Sequence, residues 1–239
     1  MKITGDYHTH TPYSHGKSTV IQNVMQAAKM GLKQIAITDH GFSHVLFCVR
    51  EWKFPNLRYE IEQAGKLVPE IEVLVGLEAN IVRNNGKIDI PKKLTHYFDI
   101  VVAGYHRAAK MGFVNFFTKT LKWGRKKTNT KMITNALRRN KIDILAHPGR
   151  DLKVDIMEVA RVCAETDTYF EINESSGKFT PTQLKEIATT GVKFVINSDA
   201  HHYAKIGHYP KSIQKAIEAE IEIANADGRK ITLKDHKTL

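Results

Sequence analysis

Along the chain, short β-rich apolar runs alternate with longer stretches of helical period. The short runs are Ile3–Tyr7, Gln34–Thr38, Glu72–Leu77, Ile100–Tyr105, Ile142–Ala146, Tyr169–Ile172 and Phe194–Ser198. Several are near-continuous Ile, Val, Ala and Leu, the composition of parallel strands buried on both faces. Between them the spacing predicts helices. The first runs from a Ser18 or Thr19 cap to Met30, with Gly31 just beyond it. The others are Asn56–Val68, Thr130–Asn140, Asp155–Glu165, Thr182–Thr189 and Lys211–Ala224, and Pro181 beside Thr180 suits the first turn of the fifth of these six helices. Seven strand–helix units predict a closed parallel barrel rather than an open doubly wound sheet. No G-x-G-x-x-G or P-loop pattern follows the first strand, so a nucleotide-cofactor fold has no support.

One segment departs from the alternation. Arg107–Asn129 interleaves Phe113, Phe116, Phe117 and Trp123 with Lys119, Lys122, Arg125, Lys126 and Lys127. At helical spacing such aromatics are expected to pack on the barrel and leave the cations in water. Contact with nucleic acid or phosphate is the alternative, with a membrane surface less favoured. A loop at this point of a barrel would overlie the site at its C-terminal face.

Composition narrows the class. With 239 residues and 42% hydrophobic content, the chain can bury one sizeable core, and residues 1–239 are expected to form a single domain. No run approaches the ~18 apolar residues of a membrane span. The opening MKITGDYHTH lacks the apolar run of a signal peptide. Cys48 and Cys163 make neither a disulfide framework nor a thiolate zinc cluster, so a reduced, cytoplasmic protein is expected. The formal charge of +11 attracts anions such as phosphorylated metabolites or nucleic acid without choosing between them. Oligomeric state is not legible.

The chemistry lies at the strand ends. His8 and His10 close the first run, spaced two apart so that both imidazoles project to one side, and His15 follows in the loop. The second run ends at His40, the third at Glu78, the fourth at His106 and the fifth at His147. The seventh ends in Asp199 and His201, again two apart. A lone histidine or carboxylate at a strand end is usually a cap or a packing group. Here every predicted strand end except the sixth carries one. Imidazole with carboxylate suits zinc, manganese or iron. Nine candidate ligands exceed the three or four protein groups that one catalytic ion takes, so the count suggests two or three ions.

In this order, H-x-H, T-D-H, a lone Glu, G-Y-H, A-H-P-G and S-D-A-H resemble the motifs of the polymerase and histidinol phosphatase (PHP) superfamily. The resemblance runs from His8 to about Gly207 and is nearest to its stand-alone phosphatases and histidinol-phosphate phosphatases. It implies a distorted (β/α)7 barrel with a trinuclear site, usually zinc and sometimes manganese or iron. Carried over by position, one ion would take His8, His10, Glu78 and Asp199. A second would share Glu78 and add His106 and His147. The third would take His15, His40 and His201. The span from His106 to His147 is long for such a phosphatase, which leaves the substrate-facing loop open.

The implied reaction is hydrolysis of a phosphomonoester, with metal-activated water as nucleophile and a small phosphorylated metabolite as substrate. Asp199, His201 and Arg150 are the residues expected to act in turnover, Arg150 by forking onto phosphate. Arg107 and Lys17 are further candidates for that role. Asp39 could orient a ligand or cap a turn. Asp6 is expected to be structural or to support a ligand, and one of Glu171, Asn173 and Glu174 could line the pocket. His208 could bond substrate. His44, His96, His202 and His236 read as non-ligands. The alternatives are a phosphodiesterase or nuclease, and a non-catalytic metal-bound interaction module.

Overall fold

The computed structural model describes residues 1–106, 109 and 125–238. The chain runs β1 (Gly5–Asp6), α1 (Val20–Lys29), β2 (Gln34–Ile37), α2 (Phe54–Leu67), β3 (Glu72–Asn80), β4 (Ile100–Gly104), α3 (Arg125–Arg139), β5 (Ile144–Leu145), α4 (Ile156–Glu165), β6 (Tyr169–Asn173), α5 (Pro181–Ala188), β7 (Phe194–Asn197) and α6 (Pro210–Glu218). All neighbouring strands pair in parallel, in sequence order from β1 to β7. A bridge between Thr9 and Ala200 brings the last strand back to the first, with His10 N–H donating to the Ala200 carbonyl at 2.9 Å. The result is a nearly closed, distorted (β/α)7 barrel.

Tyr7, Ala36, Leu74, Val102, Ile144 and Val195 fill the interior, while a larger apolar layer lies between strands and helices. Thr19 caps α1 and Thr180 caps α5, each in a reciprocal capping box with a glutamine three residues on. Gly31 takes φ 75° after α1, a conformation that favours glycine.

Three boundaries differ from expectation. β3 continues to Asn80, so Glu78 sits inside the strand rather than at its end. Helix α3 starts at Arg125 and absorbs the last residues of the basic aromatic segment. Arg107, Phe113, Phe116, Phe117, Lys119, Lys122 and Trp123 lie outside the described residues. The last helix stops at Glu218, not Ala224. There Glu220 has φ 55°, and the sequence switches to alternation, with Ile221 and Ile223 buried and Glu220 and Glu222 exposed. The tail then crosses the N-terminal mouth of the barrel. Ile231 enters the interior cluster, and His236 pairs with Asp143 at 2.7 Å. His236 therefore lies in a different network from the strand-end histidines.

Candidate metal centre

Side chains from the ends of five other strands gather around Glu78. On β3, Glu78 and Asn80 are two apart and share one face, with no exposure. Glu78 Oε1 lies 3.3 Å from His8 Nε2, 3.0 Å from His106 Nε2 and 2.8 Å from His147 Nε2. Its Oε2 lies 2.6 Å from His40 Nδ1 and 3.7 Å from His10 Nε2. Asp199 Oδ1 lies 3.3 Å from His10 Nε2 and 3.6 Å from His8 Nε2. His201 stacks on His10 with ring centroids 4.3 Å apart, and His15 stands 4.8 Å from His40 and 4.1 Å from His201. All nine candidate ligands thus occupy one face of the barrel.

The backbone is bent to do this. His147 and Asp199 adopt φ 28° and 53°, costly for non-glycine residues and typical of functional sites. Gly104 ends β4 where any Cβ would stand 2.9 Å from His147 Cε1. Glycine there is what lets the imidazole reach Glu78.

A second ring of polar groups fixes how the imidazoles face. Glu171 Oε1 accepts from His8 Nδ1 at 2.8 Å, which leaves the lone pair of Nε2 turned inward. Its Oε2 accepts the His147 backbone N–H at 2.6 Å. Asn80 Nδ2 donates to Asp89 at 2.7 Å, so its Oδ1 is left to accept from His106 Nδ1 at 2.8 Å. His201 Nδ1 donates to the Asp199 carbonyl at 3.0 Å. Asp39 accepts from Thr11 N–H and from the Thr11 and Ser14 hydroxyls, holding the turn that carries His15. Asp6 accepts from Ser198 N–H and the Tyr209 hydroxyl, tying β1 to the end of β7. Arg150 reaches Asp199 Oδ2 at 3.2 Å, beside Asn173. His44 is buried and stacks on His40 at 4.8 Å.

Sequence reasoning passed over Glu171 and Asn80 as supports. The acid interrupting an otherwise apolar run in Tyr169–Ile172, and the polar Asn80 two residues after Glu78, were the available signals. Lys17, by contrast, is exposed, and among the described residues His96 packs against Tyr97 and His202 against Tyr203, with Ala204 N–H donating to His202 Nδ1. His208 is likewise exposed.

Electrostatics separate the carboxylates from the rings. Burial would raise Glu78, yet His106, His8 and His40 hold it well below the usual carboxylate range. Burial acts likewise on Asp199, which His8 and His10 keep well below that range. His10 is pushed well down by burial, and His15 to about 3 by burial and the neighbouring His201 and His40. Burial would lower His8 too, but Glu171, Glu78 and Asp199 carry it well above the usual imidazole value.

Buried polar groups without hydrogen bonds are costly and need an explanation. Here they cluster: His8 Nε2, both nitrogens of His10, His15 Nδ1, His40 Nδ1, His106 Nε2 and Glu78 Oε2. His40 Nδ1 lies 2.6 Å from Glu78 Oε2 without the geometry of a hydrogen bond, so these two buried polar atoms face each other unsatisfied. Groupings tight enough to share one ion include His8, His10 and Asp199; His8, Glu78 and His147; His40, Glu78 and His106; and His10, His40 and His201. Imidazole nitrogens and carboxylate oxygens in this arrangement fit divalent cations.

Comparison with known proteins agrees with that chemistry. The PHP domain model matches residues 6–179. A probable phosphatase of Thermoanaerobacter sp. (strain X514) is 32% identical over 246 residues, covering 97% of this chain and 94% of its own. A probable phosphatase of Proteus mirabilis is 30% identical, covering 95% and 91%. Among solved structures, histidinol phosphate phosphatase of Lactococcus lactis, complexed with zinc, L-histidinol and phosphate, aligns with TM-score 0.63 and 16% identity over 92% of this chain and 94% of its own. The structures of Bacillus subtilis YwqE and Streptococcus pneumoniae CpsB, described as metal-dependent tyrosine phosphatases, align with TM-score 0.53 and 14% identity over 97% of each chain. At these identities the structural likeness concerns the fold.

Proposed function

The chain belongs to the PHP domain family of metal-dependent phosphatases, and on that premise we propose that it hydrolyses phosphomonoesters at a trinuclear centre. The observation that carries this reading is the set of buried, unbonded nitrogen and oxygen atoms gathered around Glu78. Seven histidines and two carboxylates are more donors than one ion takes. We assign His8, His10, Glu78 and Asp199 to one ion, Glu78, His106 and His147 to the second, and His15, His40 and His201 to the third. Zinc, manganese and iron all suit these donors. When bound, such ions supply a water acidified toward neutral pH and positive charge for the phosphoryl oxygens.

The chain's own residues do the rest. Glu78 offers one oxygen to His8, His106 and His147 and the other to His40 and His10, so it sets the spacing of the whole site. Asp199 turns Oδ1 inward while Arg150 and Asn173 hold Oδ2. Arg150 is partly exposed at the rim, where its remaining N–H groups bind phosphate. His15 and His201, the two partly exposed imidazoles of the set, mark the side from which substrate enters. No serine or cysteine nucleophile is required. A small phosphorylated metabolite is the proposed substrate.

His10→Ala or Asp199→Ala should abolish turnover of an aryl phosphate while the barrel stays folded by circular dichroism. Full activity in either variant would sink the assignment. The charge of +11 favours one second reading, phosphodiester hydrolysis on nucleic acid. An oligonucleotide assayed beside the aryl phosphate separates the two.

A further inference from the structure

Between β2 and α2, the chain carries a histidine that the proposed ligand set does not use. His44 is buried, stacked on His40 with centroids 4.8 Å apart and planes 18° apart, and set edge-on to His106 at 5.8 Å. Those two neighbours are the rings that face Glu78 from the β2 and β4 sides. His44 falls in none of the ion-sized groupings among the described residues, and its Nδ1 already accepts the Phe47 backbone N–H, which leaves Nε2 carrying the ring hydrogen rather than a lone pair for an ion. It is therefore beside the centre without belonging to it.

Its orientation is fixed. The Phe47 backbone N–H donates to His44 Nδ1 at 3.1 Å, so Nδ1 is the acceptor and the ring hydrogen resides on Nε2. Among the described residues none accepts from Nε2. The backbone around it is pinned as well. Gly41 N–H donates to the Glu78 carbonyl at 2.8 Å, and Ser43 N–H donates to Asp89 at 2.7 Å. Asp89 is the same carboxylate that orients Asn80 and, through it, His106. One buried acid thus sets the His44 turn and the His106 ring in register. Phe47 then lies over His15 at 4.5 Å, partly exposed, extending a row of nearly parallel rings to the surface.

We propose that His44 is a substrate-contacting residue whose Nε2–H donates a hydrogen bond to a phosphoryl oxygen of the bound monoester, with Phe47 walling the leaving-group side. This rests on the phosphatase reading of the same site. A neutral donor in that place adds a directed contact to the oxygen without competing with the ligands for an ion. No proton is transferred in this role.

The test uses the metal-loaded full-length protein and three substitutions. His44→Phe keeps the ring on His40 and removes the donor, His44→Gln restores a side-chain N–H, and Phe47→Ala opens the wall. Read-outs are metal content, kcat/KM on an aryl phosphate, and titration with inorganic phosphate. The donor loss in His44→Phe should weaken phosphate binding and lower kcat/KM by about tenfold to a hundredfold, at unchanged metal content. His44→Gln should recover most of both. Phe47→Ala should raise KM for the aryl ester while leaving phosphate affinity intact. Unchanged phosphate affinity in His44→Phe would overturn the proposal, as would metal loss in that variant, which would make His44 part of the ion-holding set. If the unsubstituted protein turns over no monoester, the phosphatase reading fails, and the phosphate titration still decides the role of His44.

Discussion

Glu171→Gln is a nearly isosteric change that should damage the centre from outside it. Each carboxylate oxygen of Glu171 accepts two hydrogen bonds. Oε1 takes His8 Nδ1 at 2.8 Å and Asn197 Nδ2 at 2.9 Å. Oε2 takes His147 N–H at 2.6 Å and Asn173 Nδ2 at 2.9 Å. A glutamine must place its NH2 on one side or the other, and on either side it faces two donors. His8 could relieve the clash by moving its hydrogen to Nε2, the atom turned toward Glu78 and Asp199. That relief would blind His8 to a cation. The expected cost to the metal-free protein is about 3 kcal/mol, between the roughly 1–3 kcal/mol of a stranded buried donor and the roughly 3–5 kcal/mol of a broken buried ion pair. Metal affinity should fall about 10- to 100-fold, the usual effect of losing a partner that orients a ligand. Urea unfolding in chelator measures the first quantity, and competition with a chromophoric chelator measures the second. A stability change within about 0.5 kcal/mol, the range of ordinary surface substitutions, together with unaltered metal affinity would refute this reasoning.

Gly104→Ala would add a Cβ 2.9 Å from His147 Cε1, and His147 must retreat from Glu78; metal affinity should drop about tenfold for a stability cost of about 1–3 kcal/mol, read by the same two titrations. At the opposite end of the barrel, His236→Leu strips Asp143 of a buried partner at 2.7 Å; urea unfolding should show a loss of about 2 kcal/mol while elemental analysis finds metal content unchanged. Chelation of the native protein should lower its melting temperature, since an ion at about a thousand times its Kd stabilises the fold by about 4 kcal/mol.

Much of the barrel was legible because parallel strands buried on both faces read as unbroken Ile, Val, Ala and Leu. Its two-residue β1 and β5 still surfaced as apolar runs at Ile3–Tyr7 and Ile142–Ala146. The nine strand-end residues could be picked out because each interrupts or follows such a run with a group that seldom belongs there. Glu171 was harder. It sits inside a strand near its C-terminal end just as Glu78 does, but its role is to accept hydrogen bonds from ligands, and no spacing rule separates a ligand from the group that aims it. Asn80 was hidden by the shorter β3 expected, since a strand ending at Leu77 gives Asn80 no inward face. His44 reads as a non-ligand in the sequence, but the Phe47 N–H that fixes its ring is a backbone contact that no sequence pattern announces. The helix expected to reach Ala224 failed on tertiary grounds. Ile221 and Ile223 bury on alternate positions beside β7, and Ala224 N–H donates to the Phe194 carbonyl at 2.8 Å.

The most direct test of the account is titration of chelator-stripped protein with zinc or manganese while aryl phosphate turnover and bound metal are followed together. The account predicts negligible turnover without metal and activity that rises until about three ions are bound per chain, the number to which the nine ligands are assigned. Turnover that survives chelation, or that saturates with a single bound ion, would contradict it.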